Sequence, residues 1–90
     1  MWYFYKASFD RSYKKLSLEI QLKVDHALNS LIDLFDERMP LSHGFGFKSI
    51  SKYKEIRADI KTRVLLKIEK DSITFYFVGN HDEVQKFIKK

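Results

Sequence analysis

Apolar and polar residues recur along this chain with two different periods, and the switch between them marks its architecture. Residues 2–8 are short-run aromatic sequence bounded by Ser8 and Asp10, which predicts a first strand with large side chains, and so cover, on both faces. Phe9, Tyr13 and Leu16 then share one face of a short helix. Ser17 suits the N-cap of a longer helix reaching about Arg38. Along it Ile20, Val24, Leu28, Leu31 and Phe35 form one stripe, with Glu19, Lys23, Asp25, Asp33 and Asp36 mostly off it. Pro40 and the run Ser42-His43-Gly44-Phe45-Gly46 stop that helix and make a loop.

Beyond the loop the period falls to two. Ile56, Ala58, Val64, Leu66 and Ile68 occupy even positions, while Glu55, Arg57, Lys61, Arg63 and Lys67 occupy odd ones. Two strands turning near Ile60 fit this alternation, with an apolar even face and a charged odd face. A turn centred there sets Arg57 opposite Arg63, a register that a one-residue slip would destroy. Residues 70–72 make the next turn, and residues 73–78 are apolar or aromatic throughout, as in a central strand. Gly79 ends that strand. Asn80 with Glu83 three residues later forms a capping box that opens a last helix to about Lys89. The predicted fold is an α+β domain over residues 1–90: an N-terminal strand and two helices packed on a mostly antiparallel sheet, three consecutive strands, and a short C-terminal helix. Helices are expected on the even face, leaving the odd face to solvent or ligand.

Composition narrows the class. The chain is 44% hydrophobic with three Gly and one Pro, which excludes disorder and low-complexity sequence. The absence of cysteine removes disulfides, thiolate zinc sites and a cysteine nucleophile. No apolar run approaches the ~18 residues that span a bilayer, and the start lacks the features of a signal peptide. No membrane partner and a cytoplasmic location are the expectations. Charge adds an address. Residues 1–45 carry six basic and six acidic side chains, whereas residues 46–90 carry eleven and six, so the whole excess of +5 lies in the second half. Such a field suits a polyanion, nucleic acid first, although an acidic protein or a merely solvated basic face fits it too.

Candidate chemistry follows from spacing. His26, His43 and His81 show no metal-ligand pattern, so no metal and no cofactor are expected, and His26 reads as a surface or boundary residue. The run His43-Gly44-Phe45-Gly46-Phe47-Lys48 is similar to an RNA-recognition strand motif. The order of elements opposes it, because that fold needs a second long helix where residues 48–80 lack helical period. No nucleophile elbow and no phosphate-binding glycine loop are present. The remaining constellation is Glu55, Arg57, Arg63 and His81. The first three share a face by parity, and His81 follows the neighbouring strand. Metal-free RNA cleavage by the 2′-hydroxyl needs a base, an acid for the 5′-oxygen and cations for the phosphorane. Glu55 fits the base, His81 the acid, and Arg57 and Arg63 the phosphate clamp. An exposed Glu–Arg cross-strand network explains the same residues without any chemistry.

Tyr53-Lys54-Glu55-Ile56-Arg57, then Arg63-Val64-Leu65-Leu66, then residues 73–78 closed by Gly79-Asn80-His81-Asp82-Glu83-Val84, together resemble the RelE/ParE superfamily of bacterial toxin–antitoxin toxins. The resemblance covers the whole chain in element order. It implies an mRNA interferase that cleaves messenger RNA in the decoding site of the 70S ribosome, silenced by a cognate antitoxin covering the basic cleft. Arg63 and Arg57 match the family's strand arginines, and His81 a position filled by His or Arg in nuclease members. Two family lysines correspond here to Tyr53 and Glu55, and a C-terminal tyrosine is replaced, with Gln85 or Phe87 nearest. Phe87 is able to stack on a base but not to transfer a proton. Lys48, Lys52, Lys54, Lys61 and Lys67 are then expected to hold RNA or an acidic antitoxin segment. ParE-type members of the same superfamily poison DNA gyrase instead, and an inactive antitoxin-binding remnant is a third possibility.

Overall fold

The computed structural model describes residues 2–36 and 48–89. The loop expected around Pro40, the last residues of the long helix and the RNA-recognition-like run before Lys48 lie outside them. The elements are β1 (Trp2–Tyr5), α1 (Ala7–Lys14), α2 (Leu18–Asp36), β2 (Lys48–Ile50), β3 (Tyr53–Arg57), β4 (Arg63–Ile68), β5 (Ser72–Gly79) and α3 (His81–Ile88). The strands form a mixed sheet in the order β1-β5-β4-β3-β2, with β1 parallel to β5 and the other pairs antiparallel.

One face of the sheet is covered by α1 and α2. Ile56, Val64, Leu66, Ile73, Phe75 and Val78 meet Phe9, Val24, Leu28 and Leu31 there. The helical stripe and the even strand positions thus bury each other, as apolar periodicity requires. Ser17 caps α2, its Oγ accepting from the Ile20 N–H at 3.3 Å. Tyrosine hydroxyls tie the layer together: Tyr3 donates to Asp36 at 2.7 Å and Tyr13 to Asp25 at 2.6 Å.

The core positions of β5 change parity, from Ile73 and Phe75 to Val78, because a bulge at Tyr76 interrupts the ladder between Leu65 and Leu66. Helix α1 repairs the ladder. The Ser8 hydroxyl donates to the Tyr76 carbonyl, and the Ser12 hydroxyl accepts from the Val78 N–H at 3.1 Å. The bulge explains why β5 reads as continuously apolar: its residues serve both faces in turn.

Three expectations need correction. The first strand is not covered on both sides, since β1 is an edge strand whose Trp2 and Phe4 are 69% and 52% exposed. The helices do not all take the even face. Helix α3 packs on the other one, against β5 and β4, with Phe87 stacked on Phe77 at 4.8 Å and 6.2 Å from Tyr53. The three-strand run also has a further neighbour, because β2 pairs with β3 through a tight turn in which Ser51 holds a positive φ of 57°. Three residues are too few to show a period.

Candidate functional site

Register brings the candidate residues to one end of the sheet. Arg57 pairs with Arg63 across β3 and β4, and Arg63 with Gly79 across β4 and β5. With strands ~4.8 Å apart, Arg57 and Gly79, the end of β5 just before α3, stand about 10 Å from each other. The β3–β4 turn is closed by the Ala58 N–H donating to the Thr62 carbonyl at 2.9 Å, which fixes the two arginines in this row.

Beyond Gly79 the capping box sets the direction of α3. The Asn80 side chain accepts from the Glu83 N–H at 2.8 Å, and Glu83 returns the bond to the Asn80 N–H at 2.9 Å. A side chain at position 79 would crowd the box, because a Cβ there would come within 2.9 Å of the Glu83 carboxylate and 3.0 Å of the Phe77 ring. His81 is therefore the first residue of the helix and lies exposed beside Arg63. Ile60, Lys61, Arg63, Asn80, His81 and Asp82 line a hollow of about 290 Å³.

Glu55 lies on the face that alternation gives it but not exposed there. It is on the odd face but only 3% exposed, in the row Glu55–Leu65–Phe77 that α3 roofs through Phe87. Its Oε1 accepts from Arg63 Nη1 at 3.2 Å, while Glu55 Oε2 and Arg63 Nε are buried without a partner among the described residues. The Arg63 side chain, 14% exposed, thus runs from a buried carboxylate to the wall of the hollow. The carboxylate with open access to that hollow is Asp82, not Glu55.

The remaining candidates divide. Arg57 is exposed at the end of β3. Lys61 lines the hollow. Lys48 is exposed opposite Glu55 on β2. Lys54 sits opposite Leu66, a helix-side register, and donates to the Ser49 hydroxyl at 2.7 Å, so it stands apart from the arginines. Lys52 and Lys67 lie farther along the open face, both over the Tyr53 ring, at 5.7 and 5.4 Å. Phe87 has its ring stacked on Phe77 rather than free to take a base, because the helix needs it as an anchor on the sheet. Sequence alone missed Asp82 and Asn80 as lining residues, although the capping box located both. It also missed Tyr76, whose orientation depends on the bulge.

Among the described residues no helix is long and apolar enough to cross a membrane, and no three His, Asp or Glu side chains are placed to hold a metal ion. No protein-family model matches the chain, and no curated protein does. Solved structures do. The RelB–RelE antitoxin–toxin complex from Methanococcus jannaschii matches with a TM-score of 0.70 at 15% identity, over 93% of this chain and 96% of that one. The DinJ–YafQ complex of E. coli matches with a TM-score of 0.66 at 15% identity, over 91% and 94%. A copper-bound mutant toxin from Helicobacter pylori matches at 0.66 and 15%, over 93% and 98%. The chain therefore has the RelE-like fold, in agreement with the element order expected from its sequence.

Proposed function

We propose that this protein is the toxin of a toxin–antitoxin pair and acts as an endoribonuclease on messenger RNA in the ribosomal decoding site, without a metal ion. The observation that carries the proposal is the row Arg57–Arg63–Gly79 leading to His81: the Arg63 guanidinium and the His81 imidazole line one open hollow, and Arg57 pairs with Arg63 on the neighbouring strand. The fold shared with RelE and YafQ toxins supports the nuclease rather than the gyrase-poison reading. The complexes of those toxins with RelB and DinJ support an antitoxin as the protein partner.

In this mechanism the RNA 2′-hydroxyl gives its proton to the Asp82 carboxylate, which opens on the hollow, and attacks the adjacent phosphorus as the 5′-oxygen leaves. Arg63 and Arg57 hold the phosphate oxygens and stabilise the charge of the phosphorane, the largest electrostatic demand of the step. His81 gives its proton to the departing 5′-oxygen. Glu55 keeps Arg63 extended toward the hollow and is a positioning residue rather than the base. Lys61 and Lys48 attract the RNA backbone.

The test is a purified translation reaction programmed with a defined message. Wild-type protein is expected to cut the message and stop synthesis, while Arg57→Ala and His81→Gln, both substitutions at exposed sites, lose at least 100-fold in rate, on the order expected for removing an acid or a charge clamp. An intact message with wild-type protein, together with inhibited DNA supercoiling by gyrase, would transfer the protein to the other class of toxin.

A further inference from the structure

The open face of the sheet carries a second group of residues away from the hollow. Lys67 lies four residues beyond Arg63 on β4, about 13 Å along the strand. Its ammonium sits between two tyrosine rings, 5.4 Å from Tyr53 and 5.4 Å from Tyr76, and those rings meet edge-on at 5.2 Å. Lys6 lies 5.8 Å over the other side of this group, on Tyr76. That contact places the even residues of the first strand on the open face, so Trp2 and Phe4 stand in line with Lys6, beside Ser72 and Thr74. At the opposite end Lys52, Lys54 and Lys67 line a hollow of about 270 Å³ together with Ile68 and Glu69.

Two exposed rings, Trp2 and Phe4, and two half-buried ones, Tyr53 and Tyr76, interleaved with ammonium groups are what a single strand of nucleic acid requires. Bases stack on aromatic faces and phosphates meet the cations. An apolar protein surface would find three lysines in its way, whereas a basic peptide would be repelled. We infer that this face, from Trp2 and Phe4 through Tyr76 and Lys67 to Tyr53 and Lys52, is a stacking surface for single-stranded RNA flanking the cleaved phosphate. The choice of RNA rests on the function proposed above.

Trp2 is the one tryptophan of the chain and so reports on its own site. The probe is a 2′-O-methyl oligoribonucleotide, which the 2′-hydroxyl mechanism is unable to cleave, compared with heparin, a polyanion without bases. The oligonucleotide is expected to quench Trp2 emission saturably, and heparin to leave it unchanged. Phe4→Ala and Tyr76→Ala, with Trp2 retained and folding checked by circular dichroism, should each weaken the oligonucleotide about tenfold, the effect of losing one stacked base. Three results would overturn the inference: no binding, binding without a change at Trp2, or equal quenching by heparin. A change at Trp2 only on adding an antitoxin protein would make the face a protein interface instead. A protein that cuts messages without quenching fails this inference alone, while one that quenches without cutting fails only the nuclease proposal.

Discussion

Glu55 and Arg63 share one ion pair, yet each keeps a buried polar atom without a partner among the described residues. Two charges removed from water in this way stabilise little as a pair but cost much when separated, because the survivor stays buried and uncompensated. Glu55→Ala should therefore lower stability by about 3 kcal/mol in a chemical denaturation experiment. Glu55→Gln should lower it less and retain most of the cleavage, since an amide oxygen still accepts from Arg63. Loss of all cleavage in a folded Glu55→Gln protein would instead return the proton-accepting role to Glu55. On the opposite face, burial and the bond to Asp36 push the Tyr3 hydroxyl up to about 12, while the bond to Asp25 and then burial push Tyr13 up to about 12. A folded-state value above the ordinary 10 means that this contribution to stability is complete below pH 10 and disappears as pH rises through 12. Absorbance at alkaline pH should show Tyr3 and Tyr13 titrating late, with Tyr5 also raised by burial and by Asp25, and Asp25→Asn should move Tyr13 down. Alternation along β3 placed Glu55 on its correct face but not at its depth, because burial there comes from α3, which is distant in sequence.

At the scale of elements, α3 couples stability to chemistry. Its capping box fixes where the helix begins, and His81 is its first residue. Asn80→Ala removes one half of the box and should cost about 1 kcal/mol, measured by denaturation. Cleavage should fall by more than stability does, because the start of α3 forms one wall of the hollow. The box was legible from Asn80 and Glu83 alone, since a cap is a local feature. The helical stripe of α2 and the Arg57–Arg63 register were legible too, as both follow from a repeating period about a fixed point. The bulge at Tyr76 was not, because an all-apolar strand offers no alternation in which a slipped residue would show. The edge position of β1 was hidden for a related reason: exposed aromatics have the same composition as buried ones.

The whole molecule separates its charges by layer. Its neutral first half supplies α1 and α2, which cover one face, and the basic second half supplies the other strands and the hollow. A basic sheet end with a buried carboxylate beneath one arginine suits the phosphate chemistry proposed above, and the same sheet extends to exposed rings at β1. The fold class was legible in the order of elements. The assembly of the hollow was legible only in part, because Asp82 and Lys61 join it through the turn and the helix start rather than through strand parity. In the function proposed above, Arg57, Arg63 and His81 cleave RNA through its own 2′-hydroxyl. Sequencing the ends of a message cut by the purified protein on ribosomes tests this most directly. The expected ends are a 5′-hydroxyl on one fragment and a 2′,3′-cyclic phosphate or its 3′-phosphate product on the other, both absent with His81→Gln. Fragments ending in 5′-phosphate, or a message left whole, would contradict it.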